Sequence, residues 1–118
     1  MAGHEKELEM GYLLDFYGQL LTDNRREAAE LYYNEDLSLA EIAEHAGITR
    51  QGVRDHIAKA KAQLTAFEEA LGLAAKFREI EHTLADVIPR LEALRDSAEG
   101  DTREMLDDII KKTRTISI

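Results

Sequence analysis

A stretch near the middle of the chain, ITRQGVRDHIAKAKA from Ile48 to Ala62, carries side chains suited to binding an anion. It contains four cations and one acid, although the chain of 118 residues has a formal net charge of -9. Arginine can form two hydrogen bonds with guanine, glutamine can do so with adenine, and lysine can neutralise phosphate. The stretch therefore predicts a nucleic-acid-binding surface. The residues predicted to bind DNA are Ser38, Thr49, Arg50, Gln51, Arg54, Asp55, Lys59 and Lys61.

Two local signals place this stretch in a helix-turn-helix. Ser38 and Glu41 have the S-x-x-E spacing of a capping box, which predicts the start of a short helix. Gly47 can supply the positive φ of a tight exit, Ile48 is predicted to plug the turn, and Thr49 is placed to cap the next helix. Because the second helix of such a motif lies in the major groove, its first turns would face the bases.

The rest of the chain has the apolar spacing of amphipathic helices. One helix is predicted from Glu5 to Leu21, and a second, capped by Thr22, to about Tyr33. After the turn, apolar residues at alternating spacings of three and four form one seam from Val53 to Leu71 and another from Phe77 to Leu94.

The end of the chain is predicted to be helical as well. Gly72 is expected to end the helix that carries the first seam, and Pro89 either kinks the next helix or begins a new segment. Thr102 is placed to cap a last helix after a loop over residues 97–101. The prediction is an all-α fold in which a helix-turn-helix domain, residues 1–72, includes the recognition helix. Residues 73–118 would form a C-terminal helical extension that serves in dimerisation or packing.

The two seams have two alternative explanations. They can pack on one another as a hairpin, or on the same helices of a second copy. Burying both helices on so small a domain leaves apolar surface over, which favours a homodimer. A homodimer would also pair two recognition helices.

Composition excludes several classes of protein. The chain contains no cysteine, so disulfides and thiolate metal sites are absent, and no apolar run is long enough for a membrane span or an ordinary secretory signal. A cytoplasmic location is the expectation.

Glu79 and His82 have the spacing of a di-iron ligand pair, but the second pair that such a site needs is missing. We therefore predict no catalytic residue, no cofactor and no metal, and an enzyme is not expected.

The charge distribution limits what the cationic stretch can do alone. Residues 49–66 carry four cations and one acid, whereas residues 1–37 carry three cations and nine acids. Binding driven by phosphate neutralisation would therefore be weak and salt-sensitive unless two copies act together. The alternative is that these cations form an ordinary solvated helix face.

The sequence resembles two related groups of proteins. REAAELYYNEDLSLAEIAEHAGITRQGVRDHIAKA is similar to the fourth region of bacterial sigma factors, which reads the upstream promoter element. The longer segment from Gly11 to Phe77, with DFY at 15–17, LLT at 20–22, ELYY at 30–33 and SLAEIAE at 38–44, resembles the YlxM family of small bacterial helix-turn-helix proteins.

The YlxM resemblance implies an all-α, sigma-like fold without known enzyme activity. It also implies a gene that usually lies beside those for the signal recognition particle, and hence a regulatory role in that pathway. DNA is the main partner expected from the recognition helix. The alternative is a protein interaction module that docks on signal recognition particle protein or RNA without binding DNA. Gly52 and Asp55 depart from the more basic sigma recognition helix.

Overall fold

The computed structural model of the protein describes residues 2–116, and the side chains of residues 8–116. It confirms the predicted all-α fold, because the segments from residue 2 to residue 116 are helices joined by short connections, with no strand among them. The helices are α1 (Ala2–Tyr17), α2 (Asp23–Tyr33), α3 (Leu39–Ala46), α4 (Arg50–Leu71), α5 (Leu73–Asp96) and α6 (Gly100–Arg114), with one turn of 3-10 helix at Gly18–Leu20. The chain divides into two compact units, Met1–Ala74 and Ala75–Ile118.

Helix α4 is the central element of the first unit, and α1, α2 and α3 all pack against it. Its N-terminal half buries Val53 and Ile57 against Ile42 of α3 and Ala28 of α2. Its C-terminal half contributes to a second apolar cluster together with α1, α2, Leu21 and the start of α5. The buried members of this cluster are Met10, Leu13, Leu14, Tyr17, Leu21, Ala29, Ala60, Leu64 and Ala74.

Burial shows what the seam from Val53 to Leu71 contacts in the first unit. Within the described chain, its buried residues pack on α1, α2 and α3. The seam is also shorter than predicted, because Leu71, the last residue of α4, is 56% exposed. Gly72 ends α4 in the left-handed conformation with φ 64°, as the sequence predicts.

The first helix ends earlier than predicted. Helix α1 stops at Tyr17, and the chain tightens into the 3-10 turn before it reaches Leu21. Leu13 and Tyr17 of this helix are buried, whereas Leu8 on α1 and Leu20 in the 3-10 turn are exposed. Thr22 does occupy the N-cap position of α2, although its hydroxyl makes no capping hydrogen bond.

Two features of the second unit settle open predictions. Helix α5 runs without interruption through Pro89, so this residue does not begin a new segment. Helix α6 begins at Gly100, with Glu99 as its N-cap, so the prediction that Thr102 caps it is wrong. The chain reverses at Gly100, where φ is 62°, and Asp101 places a carboxylate in the first turn, which favours a helix start there.

A hydrogen-bonded junction fixes where α4 gives way to α5. The Tyr17 hydroxyl donates to Glu68 Oε1 at 2.7 Å and accepts from the Leu73 N–H at 3.2 Å. The same Glu68 oxygen accepts from the Ala74 N–H at 3.0 Å. Since Gly72 ends one helix and the next begins at Leu73, the first N–H groups of α5 are satisfied by side chains from α1 and α4.

Among the described residues, no helix has both the length and the apolar composition that crossing a membrane requires.

The junction predicts a dependence of stability on alkaline pH. Burial disfavours the phenolate and raises the pKa of Tyr17 above its ordinary value of 10.0, and the hydrogen bond to Glu68 acts in the same direction. A group whose pKa is higher in the folded state than in the unfolded state stabilises the fold fully at pH values below its unfolded-state pKa. That stabilisation is lost as the pH rises through the folded-state pKa. We therefore expect the free energy of unfolding to fall as the pH rises above 10.0.

This contribution is measured by urea unfolding over a pH series that extends above 10.0. The Tyr17→Phe variant should be less stable at neutral pH and should lack the part of the alkaline fall that Tyr17 causes. Tyr32→Phe is the control, because Tyr32 is a half-buried ring that packs on Tyr33. An alkaline fall of the same size in wild type and Tyr17→Phe would contradict the assignment.

Candidate nucleic-acid interface

The helix-turn-helix begins with the capping box that the sequence predicts. The Glu41 N–H donates to Ser38 Oγ at 3.1 Å, and the Ser38 N–H donates back to Glu41 Oε1 at 3.2 Å. These two bonds satisfy backbone donors that a helix start otherwise leaves unpaired. Ser38 thus serves as the cap of α3, on a different helix from the other seven predicted contact residues.

The turn between the two helices of the motif has the predicted geometry. Gly47 lies in the left-handed region with φ 69°, and the Ala43 carbonyl accepts hydrogen bonds from the N–H groups of Gly47 and Ile48. Thr49 caps α4, since its hydroxyl oxygen accepts from the Gly52 N–H at 3.0 Å. Three residues therefore connect α3 to α4.

The prediction that Ile48 plugs the turn is wrong. Ile48 is 41% exposed, whereas Val53 and Ile42 fill the space between the two helices and are almost fully buried. With that space already occupied, Ile48 lies at the edge of a groove of about 180 Å³. The groove is lined by residues of α2, α3, the turn and α4, including Leu31 and His56.

The buried face of α4 determines which side chains face away from the core. Because an α-helix has 3.6 residues per turn, positions four and eleven residues apart lie within about 40° of one another around its axis. Arg50, Arg54 and Lys61 therefore share one flank of α4, and we call this the three-cation flank. Lys59 is nine positions after Arg50, about half a turn away, on the opposite flank.

The strip between the two flanks points directly away from the core and has a different composition. It contains Gln51, Asp55, Ala58 and Ala62, all of which are exposed. Gln51 Nε2 donates to Asp55 Oδ1 at 3.2 Å, so the amide and the carboxylate are held together. The two alanines have short side chains, so this part of the helix surface is low and another surface can approach its backbone closely.

The four cations of α4 have no acidic partner in the part of the chain that the structure describes. Within residues 8–116, Arg50, Arg54, Lys59 and Lys61 form neither an ion pair nor a side-chain hydrogen bond. All four are exposed. Their charges are therefore available to an external anion.

Gly52, which departs from the sigma recognition helix, has a local explanation. A β-carbon at this position would lie 3.3 Å from Thr49 Oγ1 and 3.5 Å from Ile48 Cδ1. The first distance is shorter than most β-carbon contacts, and Thr49 Oγ1 is held by its capping bond. The glycine leaves room for the cap of α4, which accounts for it within the chain.

Sequence reasoning missed two contacts that hold the motif together. Arg25 of α2 donates from Nη1 to Gln63 Oε1 of α4 at 2.8 Å, which fixes α2 across the middle of α4. His45 Nε2 lies 3.2 Å from Glu27 Oε1 and links α3 to α2. Each contact joins residues at least eighteen positions apart, so no local spacing reveals it.

Among the described residues, no group of three or more histidine or acidic side chains is arranged to hold a metal ion.

The short helix α3 packs on the longer helix α4 through a glycine turn, and the exposed face of α4 is rich in cations. This arrangement defines a helix-turn-helix protein. Comparison with known proteins agrees. Residues 4–109 match the family UPF0122, described as "Putative helix-turn-helix protein, YlxM / p13 like", and the chain belongs to this family.

Several members of the family are similar to the chain over most of its length. The UPF0122 protein of Desulforamulus reducens is 41% identical over 104 residues, which are 88% of this chain and 89% of that protein. The UPF0122 protein of Acetivibrio thermocellus is 44% identical over 76% of this chain and 77% of its own. The UPF0122 protein of Thermoanaerobacter sp. is 38% identical over 94% of this chain and 96% of its own.

The capping of α4 yields a stability prediction. Thr49→Ala removes the acceptor of the Gly52 N–H and should lower the free energy of unfolding by about 1 kcal/mol, as loss of an N-cap typically does. Thr22→Ala is the matched control, because Thr22 occupies an N-cap position without a capping hydrogen bond. Urea unfolding of both variants measures the difference, and an equal loss in the two would contradict the role given to the Thr49 hydroxyl.

Proposed function

We propose that the protein is a non-enzymatic regulator that binds duplex DNA through the exposed face of α4. The observation that carries the proposal is the arrangement of four available cations on both flanks of a low central strip. In a major groove, the two flanks of an inserted helix meet the two phosphate backbones, and the strip between them faces the base edges. Arg50, Arg54 and Lys61 on one flank and Lys59 on the other fit that geometry.

The central strip has groups that can discriminate bases. Gln51 can pair with adenine, Asp55 can accept from the cytosine amino group, and an exposed alanine such as Ala58 can contact a thymine methyl. Thr49, at the start of α4, and Ser38, at the start of α3, are assigned to the phosphate backbone in this proposal. Their hydroxyls already accept one hydrogen bond each and can still donate one.

Electrostatics sets the expected strength of binding. If all four cations neutralise phosphates, the logarithm of the binding constant should fall with the logarithm of salt concentration with a slope of roughly -3.6 per copy. Residues 1–74 carry seven cations and fourteen acids, so the body of the first unit repels DNA beyond the contact face. A single copy should therefore bind weakly, and two copies acting together are part of the proposal.

The proposal is tested by titrating duplex DNA with the Arg50→Ala/Arg54→Ala variant at several salt concentrations. We expect at least about a tenfold loss of affinity at low salt and a salt slope smaller by about two, because two phosphate or base contacts are removed. Arg103→Ala/Lys111→Ala is the control, since it removes the same charge from exposed positions on α6. Equal losses of affinity in the two variants would show that net charge alone governs binding and would overturn the proposal.

Removal of the acid from the central strip should have the opposite effect. Asp55→Asn takes away a negative charge that faces the DNA, and affinity for random duplex DNA at low salt should rise roughly two- to fivefold. The control is Glu69→Gln, an exposed acid on the same helix, fourteen positions or about 21 Å farther along its axis. Unchanged affinity in Asp55→Asn, measured in the same titration, would mean that this strip does not face DNA.

A second candidate function is docking on a protein or RNA component of the signal recognition particle, without DNA binding. The family resemblance motivates it, and the observation that favours a protein partner is the acidic balance of residues 1–74, seven cations against fourteen acids. Titrating the purified protein against random duplex DNA, the particle RNA and the particle protein in parallel separates the candidates. Binding to the particle protein with no measurable DNA binding at low salt would replace the first proposal with the second.

A further inference from the structure

The second unit consists of two antiparallel helices whose facing sides are fixed by ion pairs. Arg95 Nη1 lies 3.1 Å from Asp107 Oδ1, and Arg114 Nη2 lies 2.8 Å from Glu92 Oε2. As the residue number rises on α6 it falls on α5, so the helices run in opposite directions. Ile110, which is 1% exposed, also lies on the facing side of α6.

Much of the apolar surface of this unit remains uncovered. Between residues 75 and 116, all of whose side chains the structure describes, Ile110 is the only fully buried one. Leu94 is 57% exposed, Met105 is 66% exposed and Ile109 is 40% exposed. The seam residues of α5 are only half-buried; they are Phe77, Ile80, Leu84, Val87 and Leu91.

The uncovered residues of α5 and α6 lie on the same side of the helix pair. On α5, Leu91 comes directly before Glu92 and Leu94 directly before Arg95, and both of these charged side chains form ion pairs with α6. On α6, Ile109 comes directly before Ile110, which is buried on the side that faces α5. One position is a rotation of about 100° around a helix axis. The two helices are antiparallel and face each other. A step of one position toward the N-terminus therefore turns the side chains of both helices to the same side of the pair. We call this surface, formed by Ile80, Val87, Leu91, Leu94, Met105 and Ile109, the hairpin face.

Two observations indicate what covers the hairpin face. Among residues 75–116 the two helices of the second unit bury one side chain fully, and natural units this small often gain stability from disulfides, metals or oligomerisation. Its charges are also nearly balanced, with eight cations and ten acids in residues 75–118, so that two copies repel each other little. The first unit, with an excess of seven acids, lacks that property.

The α5 seam has the spacing of helices that pack in bundles, with other helices of the same chain or with copies of themselves. From Phe77 to Leu94 its residues recur at alternating intervals of three and four, the pattern of left-handed helix bundles. Packing two helix pairs through such faces gives a four-helix bundle with twofold symmetry, in which one surface meets itself. A second copy of the chain therefore fits the face in apolar character and in charge.

We propose that the hairpin face is the homodimer interface, with α5 and α6 of two copies forming a four-helix bundle. The proposal deepens the proposed function, which needs two copies for strong binding, by naming the surface that joins them. It also stands apart from that function, because the mass of the protein can be measured without nucleic acid. A dimer that fails to bind DNA would refute the proposed function and not the interface. A monomer that binds DNA would refute the interface and the need for two copies, but not DNA binding by α4.

The test is the mass in solution, over a range of protein concentrations, of wild type and the Leu94→Glu/Ile109→Glu variant. Wild type should have twice the chain mass of 13.3 kDa, and the variant should have the mass of one chain while keeping its helical circular dichroism. Leu8→Glu/Leu20→Glu is the matched control, since it places the same charges on exposed leucines of the first unit and should remain dimeric. A monomeric wild type, a dimeric hairpin-face variant or a monomeric control would each overturn the proposal.

A cross-linking experiment covers the case in which the double variant does not fold. The chain contains no cysteine, so Ile109→Cys introduces a unique thiol on the hairpin face. A flexible bismaleimide should join two copies of this variant and should not join copies of Leu8→Cys. Failure of Ile109→Cys to cross-link, or equal cross-linking of the two variants, would also overturn the proposal.

Discussion

The apolar face of α4 is the constraint on which the rest of the first unit depends. Val53 and Ile57 bury their side chains against α2 and α3, while Ala60 and Leu64 do so against α1 and α2, so one helix serves two clusters. Rotating α4 about its axis would expose both clusters at once. The orientation of the opposite face is therefore fixed by burial and does not depend on any contact made by the cations themselves. This is why the three-cation flank and Lys59 have definite positions although none of them is held by a partner in the described chain.

The parts of the fold that could be predicted from sequence are those in which neighbouring residues act on one another. Ser38 with Glu41, Gly47, and Thr49 with Gly52 each form a cap or turn within four positions, and all three have the expected geometry. Contacts between distant segments leave no such pattern. Tyr17 and Glu68 are 51 positions apart, and their position at the start of α5 depends on how α1 crosses α4. For the same reason the amphipathic spacing of α1 and α4 predicted helices correctly and misjudged the exposed ends at Leu20 and Leu71.

The candidate site was predictable in composition and only partly in geometry. Its residue types and their place on the second helix of the motif follow from sequence, because the capping signals give the start of α4 and helical periodicity gives its inward face. The division of the cations into two flanks also follows from helical periodicity, and the burial of Val53 and Leu64 agrees with the inward face that periodicity gives. The Gln51–Asp55 hydrogen bond between the flanks follows from the four-residue spacing, but sequence cannot choose it over competing partners. Binding by the proposed residues is a prediction that these contacts support.

The charge distribution explains why association and binding would reside in different parts of the chain. Two first units brought face to face would oppose surfaces that each carry an excess of seven acids, and this repulsion grows as salt is lowered. Low salt is also the condition in which the cations of α4 attract phosphate most strongly. A dimer held through the first unit would therefore be weakest where DNA binding is strongest. The nearly balanced second unit avoids that conflict, because its apolar contacts depend little on ionic strength and can keep two copies together while α4 remains available.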